Sequence, residues 1–256
     1  MRKILFRQLK QLVTITPILF FSTLQYVASA EIVSVGLTSV QPPLVIDTRT
    51  KKGLVYDVLD ILNNFQDDFK FVGNFYPPKR LLAEYDTLGI HMIAFNDVKW
   101  GWAQRKGVGS LTLTDGRDLF FSLKKGIKRT PKGGLTAVSG FHYAFAGFDP
   151  VTLQNMPNVS LVIDEPAVIK MLVNGRTEKG ISSETYLKWL SVSDPGTFSM
   201  LQIEEKEDNR YNRQLVVFPS SPISIDQLNV FLNNANVRTA LAKAFKKYGL
   251  SPPPLK

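Results

Sequence analysis

The chain contains no cysteine and only two histidines, His91 and His142, in 256 residues. No disulfide can hold it together, and no zinc site of the usual Cys–His kind can be assembled. A thiol nucleophile is excluded as well. There is no Gly-x-Ser-x-Gly elbow, so a periplasmic hydrolase would lack its most recognisable nucleophile. His91 falls within an apolar strand pattern, where a structural role is expected. The chain also lacks a dense Lys/Arg stripe interleaved with aromatics, which argues against a nucleic-acid partner. Its one basic concentration, Lys124, Lys125, Lys128, Arg129 and Lys132, reads as a solvated loop. Glu204-Glu205-Lys206-Glu207-Asp208 reads as a solvated turn, since it has no spaced set of cation ligands. No metal or cofactor is implied, and the chain is read as a non-enzyme.

What is present begins at the N-terminus. Arg2, Lys3, Arg7 and Lys10 precede a mostly apolar run from Leu12 to Phe21, and Ala28-Ser29-Ala30 places small residues at a cleavage position. This is the pattern of a secretory signal peptide. The run is too short for a membrane span of about 20 residues. Residues 1–30 carry four of the 31 Lys and Arg and none of the 22 Asp and Glu, so the mature chain has 27 against 22, a net charge of +5 rather than +9. A secreted chain of this size without disulfides must rely on its hydrophobic core, as one large domain or two lobes.

The remaining pattern alternates strand and helix. Ile32–Leu37 reads as a strand. Gly53 precedes a helix with Val55, Val58, Leu59 and Leu62 on one face. Phe69–Val72 reads as a strand, Pro77-Pro78 opens a short helix through Leu81, Leu82 and Tyr85, and His91–Phe95 and Leu119–Leu123 are further strands. Lys124–Gly134 is a connection. The pattern restarts with strands at Leu135–Val138 and Val159–Ile163 and a helix from Pro166 to Leu172. A short strand at Gly180-Ile181 and a helix capped by Ser182 or Ser183 follow. Leu215–Phe218 is a last strand, Pro219–Pro222 a second connection, and Ser224–Tyr248 a helix. This order implies an α/β fold with a largely parallel sheet.

Several short motifs fall in one order along the chain. Val35-Gly36-Leu37 is followed by Gln41-Pro42-Pro43, with Leu44 where an aromatic is usual. Next come Gly53-Leu54-Val55-Tyr56-Asp57-Val58 and Leu88-Gly89-Ile90-His91-Met92-Ile93, with His91 in place of Asp. Asn174–Ile181 contains Gly175-Arg176 and carries Glu178 where Asp is usual. The last is Phe245-Lys246-Lys247-Tyr248-Gly249. Taken together, this order resembles the periplasmic solute-binding proteins of the polar-amino-acid class (family 3) that serve ABC importers. The resemblance implies a two-lobed periplasmic-binding-protein-like fold of type II with two crossings between lobes, solute bound in the cleft, and hinge closure on binding. The expected division is a signal peptide at 1–30, lobe one at 31–126, lobe two at 127–220 and a return to lobe one at 221–256. The implied role is capture of a small polar solute, amino-acid-like or another organic anion, in the periplasm. The implied partner is a membrane permease, or a membrane receptor if the protein is a sensor of the same fold. The protein is expected to act as a monomer.

The resemblance also implies an arginine that grips a carboxylate about a dozen residues beyond the His91 strand, where its planar fork can give two parallel bonds. Arg105, in Trp102-Ala103-Gln104-Arg105, is placed ahead of Arg117, in Thr114-Asp115-Gly116-Arg117. The family's threonine is missing from the Arg105 motif. Trp100 and Trp102 can wall a cleft or pack in a core. Asn96 and Asp97 follow a strand end, where α/β sheets place ligand loops, and Tyr76 is a further candidate. Ser139–Tyr143 follows a strand and is expected to open a helix whose N–H groups could hold an anion. His142 lies in it, as a donor or an ordinary half-exposed histidine. Ser183 stands where the family has an ammonium-binding Asp, with Glu184 beside it, and is also read as a plain helix N-cap.

N-terminal sequencing of protein recovered from the periplasm should begin at Glu31. Membrane-bound protein retaining Met1 would overturn the cleavage reading.

Overall fold

The computed structural model describes residues 29–38, 40–76, 80, 81, 85, 87, 89–127 and 133–254. The expected signal segment, apart from Ser29 and Ala30, lies outside the described residues. So do much of the expected Pro77 helix and Lys128–Lys132. Among the described residues no helix is long and apolar enough to cross a membrane.

Strands β1 (Glu31–Leu37), β2 (Phe69–Phe75), β3 (Met92–Asn96), β4 (Val108–Gly109) and β5 (Thr114–Leu123) come from the first half of the chain. β6 (Leu135–Val138), β7 (Val159–Val162), β8 (Lys179–Ser183) and β9 (Leu201–Val217) come from the second. They run in the order β2-β1-β3-β9-β5-β8-β6-β7, with β4 also paired to β9. β1 is parallel to β2 and β3, and β6 is parallel to β7 and β8. β9 is antiparallel to β3 and β5, and β5 to β8. The expected parallel sheet is therefore two parallel halves joined by an antiparallel ribbon.

The two lobes have separate cores. Helix α1 (Leu54–Asn64) buries Leu54, Val55, Val58, Leu59 and Leu62 at helical spacing. It packs with Val33, Val35, Met92, Leu215 and Val217 and with Leu228, Leu241 and Phe245 from α6 (Ile225–Asn233) and α7 (Ala235–Lys247). In lobe two, α3 (Glu165–Val173) and α4 (Glu184–Ser193) supply Val168, Leu172, Leu187 and Leu190 to a core with Leu119, Phe121 and Leu201. The short helices α2 (Pro150–Gln154) and α5 (Pro195–Ser199) complete this lobe. The expected single helix over Ser224–Tyr248 is broken at Asn234, whose side chain accepts from the N–H groups of Asn236 and Val237 and so starts α7.

The chain changes core along β5, between Leu113 just before the strand and Leu119 within it, and within β9, between Leu201 and Leu215. The expected joins at Lys124–Gly134 and Pro219–Pro222 lie beyond these points. Long strands thus carry the crossings where loops were expected. Glu204–Asp208 is not a turn but part of the 17-residue β9.

Register fixes what each face of the ribbon presents. Gly116 stands opposite Tyr211, Thr114 opposite Arg213 and Asp118 opposite Asn209. On this face Asp118, Tyr211 and Arg213 are buried. The alternate residues, Asp115, Arg117, Arg210 and Asn212, point to the other face. Glycine at 116 is required because a Cβ there would collide with the Tyr211 ring. Gly116→Ala should therefore destabilise the protein by about 1–3 kcal/mol in chemical denaturation. Unchanged stability would show that Tyr211 can move aside freely.

Candidate functional site

The loops that follow β3 and β6 belong to different lobes and meet across the interlobe space. Such strand-end loops are where α/β folds bind ligands. The β3 loop, residues 97–102, is held rigidly. Asp97 is 4 % exposed. Its Oδ1 accepts from the Lys99 N–H at 2.8 Å and its Oδ2 from the Asn212 N–H of β9 at 2.9 Å. Asn96 Oδ1 accepts from Trp102 Nε1 at 3.0 Å. Trp102 is buried with Leu81, Ile90, Ile93, Val216 and Phe218. Asn96, Asp97 and Trp102, all ligand candidates from the sequence, thus build the loop instead of lining a cleft.

Trp100 is what this scaffold presents. Its ring lies nearly parallel to the His142 imidazole of lobe two, with centroids 6.0 Å apart and planes inclined by 10°. It also meets Tyr211 edge-on at 4.9 Å. Burial pushes the His142 imidazole below its usual value, and the charge of Asp149 opposes that shift. The β6 loop carrying His142 does not open a helix as expected. It turns at Ser139-Gly140 and leads into a single 3₁₀ turn, Ala144–Ala146. The first two amides of that turn are taken by Asp208 of β9, with Ala144 N–H to Oδ2 at 2.7 Å and Phe145 N–H to Oδ1 at 3.0 Å.

Neither expected arginine reaches this zone. Arg105 ends a 3₁₀ turn, donates to the Gly101 carbonyl at 3.3 Å and lies over the rings of Tyr85 and Trp102 at 5.9 and 5.8 Å. Its own carbonyl accepts from the Tyr85 hydroxyl. Arg117 lies on the opposite face of the ribbon, paired with Glu184 at 2.8 Å and Glu207 at 3.5 Å. There it lines an open groove of about 670 Å³ together with Lys99, Asp115, Glu184 and Arg210. Gly116 and Tyr211 also line this groove, so it adjoins the zone where the two strand-end loops meet. Tyr76 packs beside the Trp102 cluster and under Arg80 at 5.7 Å. Ser183 is a helix cap, its Oγ accepting from the Tyr186 N–H at 3.1 Å. His91 is structural, its Nδ1 accepting from the Ser34 N–H at 3.2 Å.

Beneath the Trp100–His142 pair lies a buried polar cluster that the sequence reading missed. Tyr211 donates to Asp118 Oδ1 at 3.1 Å. Arg213 donates to the Tyr211 hydroxyl at 3.2 Å and to Thr185 Oγ1 at 2.8 Å, with its guanidinium 4.8 Å from the Tyr211 ring centre. Glu165 Oε1 accepts from Ser182 Oγ at 2.6 Å and the Ser183 N–H at 2.7 Å. Arg213 Nε and Glu165 Oε2 are buried without a hydrogen-bond partner among the described residues. The signal that could have found the cluster is the alternation of Tyr211 and Arg213 with Arg210 and Asn212, a half-buried strand pattern in a polar stretch.

Burial raises the Asp118 carboxyl to about 7, with Arg213 opposing and Glu165 adding to the shift. Burial also raises Glu165, against the hydrogen bonds it accepts from Ser182 and Ser183. A carboxyl that titrates higher in the folded state binds more protons there than in the unfolded chain. Stability therefore falls as pH rises from the ordinary carboxylate value toward about 7, and this contribution is flat above that. Between pH 5 and 8, Asp118→Asn should remove a loss on the order of 1–3 kcal/mol. Urea titrations of both proteins at the two pH values check this, and identical pH slopes would refute it.

No family model matches the sequence, and no curated protein matches it. Solved structures do match. One is a substrate-binding protein of an ABC uptake transporter from Streptococcus pneumoniae with bound histidine. It has a TM-score of 0.67 at 13% identity, covering 87% of this chain and 94% of that one. A binding component of an ABC transporter from Wolinella succinogenes, complexed with lysine, gives 0.64 at 14% identity, covering 85% and 95%. The GluR0 ligand-binding core from Nostoc punctiforme, in complex with L-glutamate, gives 0.61 at 14% identity, covering 84% and 99%. With its two parallel half-sheets joined by a crossing ribbon, the chain has the two-lobed periplasmic-binding-protein-like fold.

Proposed function

We propose that this protein is an extracytoplasmic solute-binding protein. It captures a small polar, amino-acid-like solute between its lobes and delivers it to the membrane permease of an ABC importer. The observation that carries this reading is the convergence of the β3 and β6 loops, one from each lobe, on Trp100 and His142 above a buried polar floor. A ligand held there touches both lobes and favours their closed arrangement, and a closed shape is what a membrane partner can recognise. The signal-peptide pattern supports export to the periplasm, where on this reading the protein acts as a monomer.

The likeness to a receptor ligand-binding core favours a second reading, in which the closed form docks on a membrane receptor and reports the solute. Both readings share the site and differ in the partner.

A melting screen over amino acids, short peptides, amines and organic acids tests the proposal. A solute present at about 100 times its Kd should stabilise the protein by about 2.7 kcal/mol and make it more compact in X-ray scattering. Calorimetry with that solute should find Arg105→Ala and Arg117→Ala within about threefold of wild type, because both side chains are engaged elsewhere. This threshold lies well below the roughly 2–5 kcal/mol lost with a buried charged contact. A screen in which nothing shifts the melt would overturn the binding role.

A further inference from the structure

We propose that Trp100 and His142 form a slot for a flat, unsaturated group of the solute, uncharged or cationic, which inserts between the two rings when the lobes admit it. This rests on the solute-binding reading above and narrows its ligand class. The two rings come from different lobes, lie within 10° of parallel, and have centroids 6.0 Å apart. A planar group in contact with both faces needs ring planes about 7 Å apart, twice an optimal carbon–carbon contact of about 3.5 Å. The lobes must open for such a group to enter, and the near-parallel ring pair then becomes a filled sandwich. Trp100 is positioned for this by its loop, which Asp97 fixes to β9 through the Asn212 N–H, and Tyr211 closes one edge of the slot.

The charge facing the slot gives an anion little to bind. Asp149 acts on His142 and Asp208 lies behind the His142 loop. Arg213 is engaged in the buried cluster with Asp118 and Glu165, whose carboxyls burial raises, and Lys99 stands beside Trp100. The amides nearest His142 are already bonded to Asp208. Burial holds His142 toward its neutral form, so the imidazole face does not repel a cation. The Trp100 face attracts one.

Three probes separate flatness from charge: benzamidine, cyclohexanecarboxamidine and benzoate. Because the chain has three tryptophans, the indole N–H resonance of Trp100 is identified in ¹⁵N-labelled protein by its loss in Trp100→Leu. Benzamidine should move that resonance saturably, at concentrations about fivefold or more below those needed for either other probe. His142→Leu should weaken the benzamidine response by a similar factor while the protein remains folded, as judged by the other two indole signals. Equal responses to benzamidine and cyclohexanecarboxamidine would overturn the slot. So would tighter binding of benzoate, or no movement of the Trp100 signal with any probe. If solutes from the melting screen bind without moving the Trp100 resonance, the slot falls and the solute-binding reading stands. If nothing binds in either experiment, both fall.

Discussion

β5 and β9 leave one hydrophobic core and enter the other as a paired antiparallel ribbon, and the relation between the lobes is set by that pairing. Two loops could carry the crossings only at the cost of ordering flexible backbone. Two strands hydrogen-bonded to each other satisfy their own amides and carbonyls through the crossing. The ribbon's register, with Gly116 under Tyr211, then decides which side chains join the buried cluster and which, like Arg117 and Arg210, stand on the other face. A slip of one residue would exchange Tyr211 and Arg213 with Arg210 and Asn212. It would place exposed charge in the interlobe zone. The missing Cβ at 116 and the bond from the Asn212 N–H to Asp97 both work against that slip.

The cluster beneath the loops is a costly way to fill an interior. Asp118, Glu165 and Arg213 are buried, yet Arg213 forms no ion pair within contact distance among the described residues and is held by two hydroxyls. An apolar set of the same volume would often be as stable or more so. What the polar set adds is direction. Arg213 joins β9 to the first turn of α4 through Thr185, Tyr211 joins β9 to β5 through Asp118, and Glu165 joins α3 to the end of β8 through Ser182 and Ser183. Each bond lies close to the points where the chain changes core. The ribbon is thereby anchored to lobe two, while lobe one holds it through Asp97.

Helices with a strong apolar face were legible in the sequence. The α1 pattern buries Val55, Val58, Leu59 and Leu62, α4 buries Tyr186, Leu187 and Leu190, and α3 buries Val168, Ile169 and Leu172 while Met171 stays partly exposed. Ser183 caps α4 as a serine at that position should. β9 was not legible beyond its last residues, because a strand with one face on a polar cluster and one on solvent lacks the apolar alternation that marks strands. Its Glu204–Asp208 stretch has the composition of a turn. The break at Asn234 was hidden for the opposite reason, since the apolar period continues across it and only the capping amide reveals two helices. At the site, Trp100 and His142 were among the candidates, and their rings lie nearly parallel across the lobes. Motif spacing does not report which way a side chain turns, and Arg105 and Arg117 turn to local partners.

The fate of the expected carboxylate receptors follows from local competition. Arg105 lacks the motif's threonine, and it has two aromatic faces and a carbonyl within reach, so its guanidinium is drawn to Tyr85, Trp102 and Gly101. Arg117 has Glu184 and Glu207 on its own side of the ribbon. In lobe two, the amides of Ala144 and Phe145 have Asp208 directly across on β9. At each of these places where an anionic solute could have been gripped, the chain supplies its own partner, and a solute would have to displace a group held at far higher effective concentration than its own. The Trp100–His142 contact differs in kind. Two near-parallel rings from different lobes meet there with no hydrogen bond between them among the described residues, so parting them breaks none. What the two strand-end loops present to each other between the lobes is therefore aromatic, which is why the proposed slot lies there and not at either arginine.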